Sequence, residues 1–262
     1  MGVSAFSRGI LPGHAAPPLA QPISMITARG TVKPLPCLTC PAKTANVCKP
    51  LDYDRQKDLF ELGHPRQWEQ RQFLFHAGAA VGPVFKITSG MVAVSTALAD
   101  GRRQIVALYL SGDICGHSEV DGKYAYDGEA IGTVTACAFD RPCFKAFVKR
   151  HPDVADAMTG VLEDKLARAR RHLTVVGQLT STEKLASFLL MLATAYSEHG
   201  FQVRPLVMPM KRSDVSDYLG LRIETVSRAF TKLRKQRLVD LDDDRIIILD
   251  PIGLSHLGNA MD

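Results

Sequence analysis

Three thiols stand close together in Cys37-x2-Cys40-x7-Cys48, on a segment punctuated by Pro36, Pro41 and Pro50. Thiolates are soft donors, the kind that zinc and iron–sulfur clusters select. Either site needs a fourth ligand. Cys115, Cys137 and Cys143 are the candidates, and spacing does not choose among them, because a free cysteine also serves as a small buried hydrophobe. No apolar run reaches the roughly 18 residues of a membrane span, and the first thirty residues lack a signal-peptide pattern. The expected location is cytoplasmic, with no membrane partner. Disulfides are rare in that compartment, so the six cysteines call for metal ligation, redox chemistry or core packing.

A second constellation runs from Arg212 through SDVSDYLGLRIETVSRA to Phe230. It meets the steric rules of two helices crossing closely: a small residue at the crossing, Ser216, and a glycine at the turn, Gly220. Val215, Leu219, Leu221, Val226 and Ala229 supply the internal apolar contacts at helical spacing. On the second helix Arg222, Glu224, Thr225, Ser227 and Arg228 project from the opposite face. Arginine reads guanine bidentately in the major groove and glutamate accepts from a cytosine amino group. With Arg212 and Ser213 at the start of the first helix, these are the candidate contacts to double-stranded DNA. The chain is only mildly basic, +5 over 262 residues, but from Lys211 to Arg237 eight Lys/Arg face three acids. The charge is concentrated on this motif.

Other elements must position these residues. Residues 1–34 are rich in Ala, Pro, Gly and Ser and predict a disordered arm. Residues 35–150 form the next unit, its cysteine segment followed by an amphipathic stretch at Leu59, Phe60 and Leu62. From Phe73 to Phe139 short apolar runs alternate with glycines, which predicts a β-roll. Asp100-Gly101 suits a type I′ hairpin turn, and Asp140 an N-cap for a helix carrying Phe144 and Phe147. Over 151–178 a long helix sets Met158, Leu162, Leu166, Ala169, Leu173 and Val176 on one heptad-like seam flanked by Lys165, Arg168, Arg170 and Arg171. Spacing alone fits a homodimer interface and packing on the chain's own domain equally well. Within 179–262, a helix through Glu183 to Tyr196, ended by Gly200, precedes the helix pair, and Leu238 to Leu249 read as a β-wing around Asp242-Asp243-Asp244. The fold class is α+β.

The Gly-punctuated roll with Ser89-Gly90 and Ser111-Gly112-Asp113, the long helix, TSTEKLASFLL and SDVSDYLGLRIETVSR together resemble the CRP/FNR family of transcription regulators over roughly residues 35–255. The resemblance implies a cyclic-nucleotide-binding-like β-roll, a long dimerisation helix and a C-terminal winged helix-turn-helix, in a regulator that is not an enzyme. The cysteine segment resembles the FNR oxygen-sensing branch, in its longer-spaced FnrN-type form. That branch implies a [4Fe–4S] cluster whose fourth ligand falls on Cys137, in VTACAFDRP. It also implies activation of anaerobic or microaerobic genes, and loss of the dimer and of DNA binding on oxygen attack. Glu224, Ser227 and Arg228 would then read a TTGAT-like half-site repeated as an inverted pair, with RNA polymerase as a further partner. Zinc, or thiols responding to oxidation, is the alternative to a cluster.

Two features depart from branches of the family. A cyclic phosphate needs an arginine partner, and between Cys115 and Cys137 there is only Lys123. The hairpin after Ala99 carries Arg102 and Arg103 where FNR-type chains are acidic.

Overall fold

The computed structural model describes residues 36–198, 206–207, 209–242 and 245–258. The expected arm, Gly200 and the wing residues Asp243 and Asp244 lie outside them. The cysteine segment is more helical than its prolines suggest. It forms the single turn α1 (Pro36–Thr39) and a 3-10 turn at Asn46–Cys48, and Pro36 opens its turn at the position where a missing N–H costs nothing. In α2 (Tyr53–Glu61), Asp52 caps the helix by accepting from the Arg55 N–H at 3.0 Å, and Leu59 is buried.

The roll comprises β1 (Gly63–Trp68), β2 (Phe73–Phe75), β3 (Val84–Ala97), β4 (Arg103–Leu110), β5 (Ile114–Cys115), β6 (Glu119–Val120), β7 (Lys123–Tyr124) and β8 (Asp127–Phe139). The main sheet runs β1-β8-β3-β4, with β2 on β8 and β5 on β3, while β6 and β7 form a separate ribbon. Period-2 alternation sorts the side chains of β8. Val134, Ala136 and Ala138 turn into the roll, beside Phe85 and the Phe75–Tyr124 stack with centroids 4.7 Å apart. Cys137 between them faces outward.

The β3–β4 hairpin departs from the expected two-residue turn. Leu98 N–H donates to Arg102 O at 2.8 Å, and Gly101 N–H donates back to Leu98 O at 2.9 Å. Gly101 adopts φ +84. This is the three-residue loop in which a left-handed glycine closes a type I turn, because Leu98 and Arg102 pair and leave Ala99 in the loop.

In α3 (Arg141–Arg150) the Asp140 cap is as expected, accepting from Cys143 N–H at 3.2 Å. Phe144 and Phe147 are buried with Val47, Leu51, Leu59, Val84, Ile114, Phe139 and Val154 in one cluster. That cluster joins the cysteine segment, the outer face of the sheet and the start of α4 (Pro152–Gln178), a helix of 27 residues and roughly 40 Å. Each large side chain buried there stabilises the junction by about 1.5–3 kcal/mol.

The C-terminal region contains α5 (Ser181–Glu198), β9 (Leu206–Val207), α6 (Arg212–Leu219), α7 (Ile223–Lys235), β10 (Val239–Asp242), β11 (Arg245–Ile248) and α8 (Pro251–Gly258). Strands β10 and β11 form the expected wing. Strand β9, which adds to β11, and helix α8 were not anticipated. Two residues are too few to show a period, and the sequence of α8 is a weak helix former that is held by burial of Leu254 against the α5 core. Among the described residues no helix is long and apolar enough to cross a membrane.

Candidate nucleic-acid interface and cysteine site

Helices α6 and α7 meet as their residue types require. Val215, Leu219, Val226 and Ala229 are buried between them, with Leu221 packed at the edge. Gly220 ends α6 with φ 62 and ψ 38, a left-handed conformation that favours glycine. A Cβ there would meet only ordinary contacts, Val176 Cγ1 at 3.5 Å and Gln104 Oε1 at 3.8 Å. Gly220→Ala therefore isolates the backbone term. It is expected to cost roughly 1–2 kcal/mol and to lower the melting temperature by several degrees, whereas an unchanged melt would show that the turn relaxes freely.

Arg222, Glu224, Ser227 and Arg228 lie exposed on one face of α7, with Thr225 half-buried beside them. Arg228 Nη2 donates to Thr225 Oγ1 at 3.3 Å, and Ser227 Oγ donates to Ile223 O at 3.0 Å. The structure adds Ile223 and Thr231, both exposed, to this face. Ser213 is half-buried. Arg212 is not presented like the others: its guanidinium lies 3.4 Å from the Phe230 ring centroid, and its buried Nη1 has no hydrogen-bond partner. Burial pushes its pKa below the usual arginine range. Asp214 and Asp217 turn away from the exposed α7 face, so among the three acids of this stretch only Glu224 shares that face.

The cysteine site is assembled from distant parts of the chain. Cys37, Cys40, Cys48 and Cys137 line one cavity of about 20 Å3, together with Leu59, Phe60 and Lys86. Strand register explains the placement: Cys137 on β8 lies opposite Lys86 on β3, on the face covered by the cysteine segment. Burial, then the neighbouring Cys40 and Cys37, pushes the Cys137 thiol up to about 12. Burial, then Cys48 and Cys40, likewise raises Cys37. The other two cysteines are elsewhere. Cys115 is buried inside the roll and Cys143 is exposed on α3.

Lys86 was not anticipated, although a lysine inside the apolar run Val84 to Ile87 was its signal. It is 2% exposed, and its Nζ donates to Ala42 O at 2.6 Å, tying the cysteine loop to the sheet. Asn46 Nδ2 makes a second tie, donating to Gly112 O. The four thiols are of the soft donor type that a cysteine-ligated metal group takes. Among the described residues, however, no three Cys, His, Asp or Glu side chains stand at metal-ligand spacing.

On α4, Leu162, Leu166 and Leu173 are 48%, 51% and 73% exposed, and Ala169 is exposed between them. Met158 and Val176, at the ends of the expected seam, are half-buried against their own chain. Met158 packs on the cluster that includes Cys48 and Cys137. The 3-10 turn bearing Cys48 rests directly on α4, and Arg55 of α2 bonds Asp153 at 2.7 Å.

A β-roll joined through a long helix to a winged helix-turn-helix whose second helix presents an exposed polar and basic face defines a DNA-binding transcription regulator, not an enzyme. Residues 65–151 match the cyclic nucleotide-binding domain and residues 183–257 the Crp-like helix-turn-helix domain. The nitrogen fixation regulation protein FixK of Bradyrhizobium diazoefficiens is 31% identical over 233 residues, covering 86% of this chain and 94% of the relative. The transcriptional activator protein FnrL of Cereibacter sphaeroides is 28% identical over 219 residues, covering 81% and 87%. The solved structure of FixK2 from Bradyrhizobium japonicum superposes with a TM-score of 0.70 at 26% identity, over 76% of this chain and 99% of that one. The chain belongs to the CRP/FNR family of transcription regulators, whose members bind DNA as dimers.

Proposed function

We propose that this regulator is an oxygen-responsive activator that holds a [4Fe–4S] cluster on Cys37, Cys40, Cys48 and Cys137 and binds a TTGAT-like inverted repeat as a homodimer. The observation that carries this reading is the convergence of these four thiols on one cavity, with Cys115 and Cys143 outside it. The names of relatives support the activating role, FnrL and the Anr protein of Pseudomonas aeruginosa both being called transcriptional activators. Activation brings RNA polymerase in as a partner.

The bound cluster would supply oxygen-sensitive iron in place of the protons on four thiols. The chain's own residues carry the consequence. Cys48 sits in the turn resting on α4, and Cys48, Cys137 and Met158 share one apolar cluster. Holding or releasing the loop therefore changes the support under the first seam residue, which biases a monomer–dimer equilibrium. Anaerobic purification followed by a visible spectrum and iron, sulfide and zinc analysis tests the reading. Protein without iron and sulfide refutes it. One observation favours a second reading, zinc or redox-active thiols in place of a cluster: among the described residues no three Cys, His, Asp or Glu side chains stand at metal-ligand spacing. Stoichiometric zinc, or no metal with oxidant-dependent DNA binding, would select it.

DNA recognition separates into base reading and charge. Arg228, early on the exposed face of α7, is expected to act at one base pair, so Arg228→Ala costs about 1–3 kcal/mol there and relaxes selectivity. Lys232, one turn later, is expected to act on phosphate. Lys232→Ala should weaken all sequences alike and lower the salt slope by about one unit. Binding to single-base operator variants at several salt concentrations checks both. Equal loss by Arg228→Ala on every variant would make Arg228 a phosphate contact.

A further inference from the structure

A five-membered ion cluster joins the sensory roll to the helix-turn-helix. Arg71, from the β1–β2 loop, donates through Nη1 to Glu129 Oε1 and Asp214 Oδ1, both at 3.0 Å, and through Nη2 to Asp214 Oδ2 at 3.3 Å. Arg103, at the start of β4, donates through Nη2 to Asp214 Oδ1 at 2.8 Å and through Nε to Asp217 Oδ2 at 2.9 Å. Its Nη1 bonds Glu129. The Asp214 side chain is 1% exposed and also caps its own helix, accepting from Lys211 N–H at 3.0 Å. Buried carboxylates are retained only when charged donors satisfy them, and here two guanidinium groups serve three carboxylates.

Two neutral contacts extend the junction. Gln104 Nε2 donates to Tyr218 O at 3.1 Å, and His172 of α4 stacks on Tyr218 with centroids 4.2 Å apart. None of these groups belongs to the exposed face of α7. The junction therefore holds α6 from behind, and α6 carries α7 through their shared apolar core.

We propose that Arg71 and Arg103 are positioning residues: by clamping Asp214 and Asp217 to the roll they fix the recognition helix and so set the half-site spacing that the dimer accepts. This rests on the inverted-repeat reading above. Two recognition helices read two half-sites only at a matching separation, about 34–36 Å or a multiple of it. A rigid mounting makes that separation selective, and a loose one makes it tolerant.

The test uses anaerobically purified full chains: the parent, Arg71→Gln with Arg103→Gln, and Arg103→Lys alone, which retains a cation. Each is titrated with inverted repeats whose spacers differ by one base pair and with a single half-site. Hydrogen exchange along α6 is measured without DNA. The parent is expected to prefer one spacer by about tenfold or more, and the double variant to lose that margin, binding all spacers within about twofold while half-site affinity is kept. Arg103→Lys should fall between them, both in spacer preference and in exchange along α6, which should rise most in the double variant.

A double variant with the parent's spacer profile overturns the proposal. So does equal loss on half-site and full operator, which is a folding role, and so does tighter binding at every spacer, which makes the cluster an inhibitory lock. If the parent itself prefers no inverted repeat, the operator reading is what fails, and unchanged exchange in α6 then overturns the clamp independently.

Discussion

A Cys137→Ser protein purified without oxygen is expected to contain background iron and sulfide, while Cys115→Ser and Cys143→Ser proteins keep the parent's content. Serine has nearly the shape of cysteine, so the β8 strand and its pairing with Lys86 survive, but the hydroxyl is a hard, weakly acidic donor that does not replace a thiolate. No other thiol is placed to substitute. Cys115 points into the roll beside Tyr109, and burial holds its thiol far above the usual range, with Asp113 adding to the shift. Cys143 is exposed on α3, beside Asp140. Full iron and sulfide in the Cys137→Ser protein would remove Cys137 from the ligand set and reopen the choice of fourth ligand.

The second large effect is expected on α4. Replacing Leu162 and Leu166 by Asp should dissolve the dimer without unfolding the chain, because both side chains are about half exposed in the single chain and the core of α4 rests on Val154 and Val175 instead. In a pairing seam the new carboxylates are buried without partners, at about 3–5 kcal/mol for one broken charge. That corresponds to a loss of roughly 160- to 5,000-fold in the dimerisation constant. Operator affinity should drop toward that of a half-site, since one recognition helix reads only one. Anaerobic ultracentrifugation measures the effect directly, and an unchanged dimer fraction would place the interface on another surface.

The two halves of the molecule differ in how much of them was legible beforehand. The helix-turn-helix depends on near neighbours: Ser216 at the crossing, Gly220 at a left-handed turn, and apolar residues three and four apart all lie within about two helical turns of one another. The α4 helix and the Asp140 cap are local in the same sense. Their geometry follows from residue type and spacing, so the sequence by itself determined them, along with the concentration of basic charge on the motif.

The cysteine site was only partly determined in this way. Spacing identified three thiols, but Cys115 and Cys137 are indistinguishable until pairing decides which way each points. The register of β8 against β3 turns Cys137 outward opposite Lys86, while the pairing of β5 with β3 sets Cys115 opposite Phe85, inside the roll. The interdomain cluster lay wholly beyond a local reading. In the sequence Asp214 and Asp217 merely subtract from the charge of the motif, yet in the fold they meet Arg71 and Arg103, with Asp214 separated from them by 143 and 111 residues. Periodicity and capping act over a few residues, whereas burial pairs charges according to where the chain has brought them. The tertiary structure alone therefore decided which acid shares the exposed α7 face, which thiols line one cavity, and which arginines meet the acids of α6.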